Sequence, residues 1–84
     1  MFIVITTKDN DGVIETEVSK VFLTHEIAQN FLVGKLAIEE NKLTKKFGDE
    51  IEYFERDDGE GMITNDGNTR VYVEIKKTEL LDRI

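Results

Sequence analysis

The stretch TRVYVEIKK, residues 69–77, settles what kind of fold this chain adopts. Val71, Val73 and Ile75 alternate with Arg70, Tyr72, Glu74 and Lys76. A period of two places one set against a core and the other on the opposite face of a sheet. A strand of this kind needs partners from elsewhere in the chain. Just before it, Asn65-Asp66-Gly67-Asn68 has the residues of a tight turn, and Met62–Thr64 reads as a short strand entering that turn. Asp57-Asp58-Gly59-Glu60-Gly61 reads as a turn or loop. Glu50–Arg56 reads as a further strand, with Ile51 and Tyr53 on one face and Phe54 on the other. On the far side, Thr78 is placed to cap a final helical turn through Leu81 and Asp82.

At the start of the chain, Phe2–Thr7 is a β-branched apolar run and Lys8-Asp9-Asn10-Asp11-Gly12 a turn. Val13–Leu23 alternates again. Ile14, Thr16, Val18 and Phe22 share one face, interrupted by Lys20, and Glu15, Glu17 and Ser19 take the other. This is the pattern of a half-buried strand, paired with the first as a hairpin. Between the two groups of strands lies one long helical stretch. Thr24 supplies an N-cap hydroxyl and Glu26 an acidic side chain for the positive helix end. Lys45, Lys46 and Gly48 form a basic last turn and a glycine stop, so the helix runs to Asn41 or on to Lys46. Ile27, Phe31, Gly34 and Ile38 make one apolar stripe. It is read as the sheet-facing stripe, with Gly34 allowing close approach. Leu32, Val33 and Leu36 lie off that stripe and need a second cover. Leu80, Leu81 and Ile84 of the same chain are preferred for this over a second copy. The order β-β-α-β-β-β is α+β: an antiparallel sheet with one main helix packed on one face, in a single domain covering residues 1–84.

The chain has 84 residues, one histidine, no proline and no cysteine. A domain this small buries only about 60–65% of the surface its unfolded chain exposes. No disulfide or ordinary zinc site can staple it, so its stability rests on a compact core or on oligomerisation. The lack of cysteine fits a reducing, cytoplasmic setting. MFIVITTKD has no basic leader and too short an apolar run for a signal peptide. No stretch approaches the roughly 20 apolar residues of a membrane span, and no membrane contact is expected.

Charge is distributed unevenly. The chain carries 18 acidic and 11 basic residues, a net charge of -7. Residues 49–66, DEIEYFERDDGEGMITND, hold eight of the carboxylates and a single cation, Arg56, so this stretch carries the whole excess. Net acidity opposes direct binding of nucleic acid, and the carboxylates beside Gly59 and Gly61 would repel a phosphate. An EF-hand loop centred on the glycine Gly12 would begin at Thr7 and end at Val18; centred on Gly61, it would run from Arg56 to Gly67. Neither has a carboxylate at either end, so no metal or other cofactor is expected. His25, in the first helical turn beside Glu26, reads as an exposed helix residue. No Ser/His/Asp set can be assembled around it; no catalytic residue is assigned and no enzymatic activity is expected. Tyr53, Phe54 and Tyr72 lack the basic groove that accompanies base stacking, so they are read as packing or interface residues.

Binding is what remains. Asp49, Glu50, Glu52, Glu55, Asp57, Asp58 and Glu60 are the candidate charges, and Tyr53 and Phe54 the candidate anchors. Carboxylates along a strand and loop mimic backbone phosphates and suit a basic groove on another protein. The same charges also blunt exposed strands and aid solubility.

In a short, cysteine-free chain, SKVFLTHEIAQNFL (residues 19–32) and DEIEYFERDDGEG (residues 49–61) resemble the small acidic α+β proteins of bacteriophages and mobile elements, including anti-CRISPR-type inhibitors. The resemblance implies host-directed protein binding in a bacterial cytoplasm. The expected function is that of a non-enzymatic inhibitor or modulator whose acidic surface occupies a basic, nucleic-acid-binding site on a protein partner. The alternative is a homo-oligomeric structural or accessory protein, for example a homodimer, joined through Leu32 and Leu36 or an exposed edge strand.

Overall fold

The computed structural model describes residues 1–48, 51–64 and 67–78. In order, the elements are β1 (Phe2–Asn10), β2 (Val13–Val18), α1 (His25–Phe47), β3 (Ile51–Arg56), β4 (Gly59–Thr64) and β5 (Thr69–Lys77). They form a five-stranded sheet in the order β2-β1-β5-β4-β3, with every neighbouring pair antiparallel. The helix covers one face, giving the α+β arrangement that the alternation in residues 69–77 requires. β5 sits at the centre of the sheet. It pairs with β1 from Phe2↔Lys77 to Asn10↔Thr69, and Val71, Val73 and Ile75 point into the core with Val4, Met62, Ala28, Leu32 and Leu43. Asp49, Glu50, part of the Asn65–Asn68 turn, and the capped turn and covering role assigned to Leu80, Leu81, Asp82 and Ile84 lie outside the described residues.

Both hairpins are tighter than their sequences suggest. β1 continues to Asn10, and the turn shrinks to Asp11 and Gly12, both at positive φ (54° and 89°). That is the combination a two-residue hairpin turn demands. In the second hairpin, β4 begins at Gly59 rather than Met62, leaving only Asp57 and Asp58 in the turn. The glycines belong to the strand because other groups lie directly over them. The Phe54 ring crosses Gly61, and Gly59 packs against the backbone of Val73 and Glu74.

β2 departs further from expectation. It stops at Val18, and it is exposed on both faces instead of half-buried. The Ser19 hydroxyl takes over from the ladder, accepting the Val4 N–H at 2.8 Å and donating to the Lys20 carbonyl. Phe22 makes one isolated bridge with Phe2 and enters the core, although its alternation places it in phase with the exposed Ile14 and Val18.

The helix begins as its sequence dictates, with Thr24 Oγ1 accepting the Ile27 N–H at 3.2 Å. It ends at Gly48, whose φ of 73° and N–H bond to the Thr44 carbonyl close the last turn. Its rotation corrects the sequence reading. Ala28, Leu32, Leu36, Glu39 and Leu43 face the sheet, while Ile27, Phe31 and Ile38 are exposed and Gly34 has open space beyond it. Leu32, assigned to an outer face, is 1% exposed. Glu39 makes this stripe look polar in sequence, yet it is 3% exposed. Lys8 of β1 lies 3.2 Å from its carboxylate, with Lys35 and Lys42 close by. Lys8 and Lys35 also hold Glu17 of β2 at 3.3 and 2.8 Å. Burial opposes the Lys8 charge, but bonds to Glu39 and Glu17 outweigh it and raise the amine above its ordinary range. A long-range ion network thus lets a carboxylate occupy a core-facing position and ties the edge strand to the helix.

Candidate functional site

The acidic stretch folds into the β3–β4 hairpin, and the strand period splits its side chains between two faces. Tyr53, Glu55 and Glu60 lie on the helix side; Glu52, Phe54 and Arg56 lie on the open side. Asp57 projects from the turn. The structure therefore separates the candidate residues instead of gathering them into one surface.

On the open face, Phe54 lies nearly parallel to Tyr72, with ring centroids 5.9 Å apart, and Arg56 sits over the Phe54 ring. Beside them is an open cavity of about 530 Å³, reaching Thr7, Asp9, Ile14 and Arg70. Four of its polar side chains are paired within the chain. Arg70 donates to Asp9 at 3.1 Å, the Tyr72 hydroxyl donates to Asp58 at 2.7 Å, and Lys76 reaches the other Asp58 oxygen at 3.3 Å. Asp58 thus ties the hairpin turn to β5, its carboxyl held below the ordinary value by Tyr72 and Lys76. Burial, then the Asp58 carboxylate, push the Tyr72 hydroxyl up to about 12.

A phenolate titration tests this contact. In a Tyr53→Phe background, Tyr72 is expected to ionise near 12, and Asp58→Asn to bring the midpoint down toward the ordinary value of 10. Because the folded value is raised, the contribution to stability is complete below pH 10 and is lost as pH climbs toward 12. An unchanged midpoint in the Asp58 variant would contradict the assignment.

The helix side is different. Two adjoining depressions of about 150 and 230 Å³ run between α1 and the hairpin, sharing Glu55 and Glu60. The helix contributes His25, Gln29, Leu32, Leu36 and Glu40 to this groove; the hairpin adds Tyr53, Met62, Asp57 and, at its turn end, Arg56 and Asp58. Glu55 and Glu60 are direct register partners, and like charges placed opposite one another on a sheet oppose folding. Among the described residues, Glu40, Glu55, Asp57 and Glu60 have no ion-pair partner, whereas Asp9, Glu17, Glu39, Asp58 and Glu74 each have at least one. Tyr53, 63% exposed, stands at the rim.

Glu40 and His25 escape a reading of the acidic stretch because they are remote in sequence. Glu40 follows Leu36 by one helical turn, and that spacing could have found it once the sheet-facing stripe was known. His25 is exposed, with its ring edge-on to Phe2 at 5.4 Å. No cluster of three or more metal-ligating side chains occurs among the described residues, and no helix there is long and apolar enough to cross a membrane. Comparison with known protein families, curated proteins and solved structures gives no match.

Proposed function

We propose that this chain is a small α+β protein-binding module, without catalytic activity, that seats a basic segment of a partner in the acidic groove between α1 and the β3–β4 hairpin. It acts in the cytoplasm as an inhibitor or modulator, covering a partner surface that would otherwise meet nucleic acid. The observation that carries this reading is the facing of Glu55 and Glu60 with Glu40 and Asp57 beside them and, among the described residues, no cation paired to any of the four. A lysine or arginine entering the groove relieves that repulsion. Its methylene stem rests on Leu36 and Met62 while its charge meets the carboxylates, and Tyr53 closes over it as an aromatic anchor.

The test uses a fluorescent peptide of alternating arginine and leucine, with an acidic peptide as control. The basic peptide is expected to bind more weakly as salt rises. The combined change Glu40→Gln, Glu55→Gln, Asp57→Asn and Glu60→Gln should reduce affinity roughly tenfold or more and flatten the salt dependence. Asp9→Asn, which lies outside the groove on the open face, should leave binding unchanged. Equal affinity of the fourfold variant and the parent chain would refute the groove as the docking site.

A further inference from the structure

The apolar stripe that the sheet leaves uncovered has a pattern of its own. Ile27, Phe31, Gly34 and Ile38 are separated by alternating steps of four and three residues, the spacing of the seam between two paired helices. Ile27 is 48% and Ile38 54% exposed. Phe31, 39% exposed with its ring 5.1 Å from that of Phe22, borders Gly34, a position with nothing within 4 Å of where a Cβ would lie. A glycine between two large apolar side chains leaves a hole on the helix surface.

We infer that this seam joins two copies of the chain in an antiparallel helix pair. Its order of large and small residues is self-complementary. A two-fold axis midway between Leu32 and Val33 sets Ile27 against Ile38 of the second copy and Phe31 against its Gly34. The exposed edge of each Phe31 ring, held from behind by Phe22, meets the hole left by the other copy's Gly34. The same axis brings Thr24 beside Asn41, extending the match with uncharged residues. Charge permits the contact as well. Asn30, Ala37 and Thr44 flank one side of the seam; on the other, Lys35 is held by Glu17 and Glu39 and Lys42 by Glu39. The antiparallel arrangement also sets opposite ends of the two helix dipoles side by side. One helix face from each copy supplies fewer residues than the roughly 20–30 a side of a standard interface, so the dimer is expected to be weak and concentration-dependent. Glu40 and Leu36 lie on the other flank of α1, so both acidic grooves stay open and the dimer is bivalent.

Sedimentation of the full chain across the micromolar range is expected to show a monomer–dimer equilibrium. Gly34→Phe fills the hole and should weaken the dimer roughly tenfold or more. Adding Phe31→Ala restores a large residue against a small one and should recover association. The absence of native cysteine permits a geometric test. Chains carrying both Ile27→Cys and Ile38→Cys should form a disulfide-linked dimer on mild oxidation. Either change alone should not, because identical positions lie about 16 Å apart along an antiparallel pair. A strict monomer overturns the inference, whether the stripe is then covered by residues 79–84 or reserved for a foreign helix. Cross-linking by the single variants as readily as by the double also overturns it, since that outcome requires parallel helices.

Discussion

Gly61→Val is expected to destabilise the fold by more than about 3 kcal/mol, a large part of the stability of a domain this small. Strand propensity alone argues the reverse, because valine suits a pleated sheet better than glycine does. Packing decides the sign. A Cβ at position 61 would collide with the Phe54 ring and approach the Val71 carbonyl oxygen to 2.7 Å. The ring can swing aside at the loss of its stack on Tyr72. The carbonyl cannot, because it belongs to the central strand. Urea denaturation followed by circular dichroism should therefore show a strongly lowered midpoint for Gly61→Val. Pairing Gly61→Ala with Phe54→Ala should relieve only the ring component. A Gly61→Val chain with the parent's midpoint would mean that Phe54 does not cross Gly61.

This glycine also marks where the sequence stops being legible. Residues 69–77 announce a central strand because the period-two signal is local and unbroken. The hairpin at Asp11-Gly12 and the helix caps at Thr24 and Gly48 are legible for the same reason: each is decided by a few adjacent residues. Gly61 and Gly34 are not. One reads as loop punctuation and lies beneath an aromatic ring; the other reads as a point of close approach and faces open space. What separates them is contact with a different strand, which no local pattern encodes. The helix rotation fails for a related reason. Two apolar stripes compete on α1, and Glu39 disqualifies the correct one until Lys8, contributed by β1, is seen beside it. For the candidate site, charge density points to the β3–β4 hairpin. The groove needs Glu40, while the Asp58 carboxylate bonds Tyr72 and the Phe54 ring stacks on it across the open face.

The helix rotation can be measured directly. Leu32→Ala is expected to cost about 3 kcal/mol, within the range for deleting a fully buried leucine side chain. Ile38→Ala, at a concentration low enough to hold the chain monomeric, should cost less than about 1 kcal/mol, since an exposed side chain leaves no cavity. The sequence reading reverses this ranking, with Ile38 in the core and Leu32 outside, so the two stabilities separate the alternatives without a partner or an assay of function. The stakes exceed packing. Turning α1 by about a third of a turn to bury Ile38 would carry Leu36 and Glu40 away from the hairpin and dismantle the acidic groove. It would also bury the Ile27–Ile38 seam against the sheet, leaving nothing for a second helix to meet. A larger loss from Leu32 than from Ile38 is therefore required by both the groove and the helix pair. The opposite ranking would remove both.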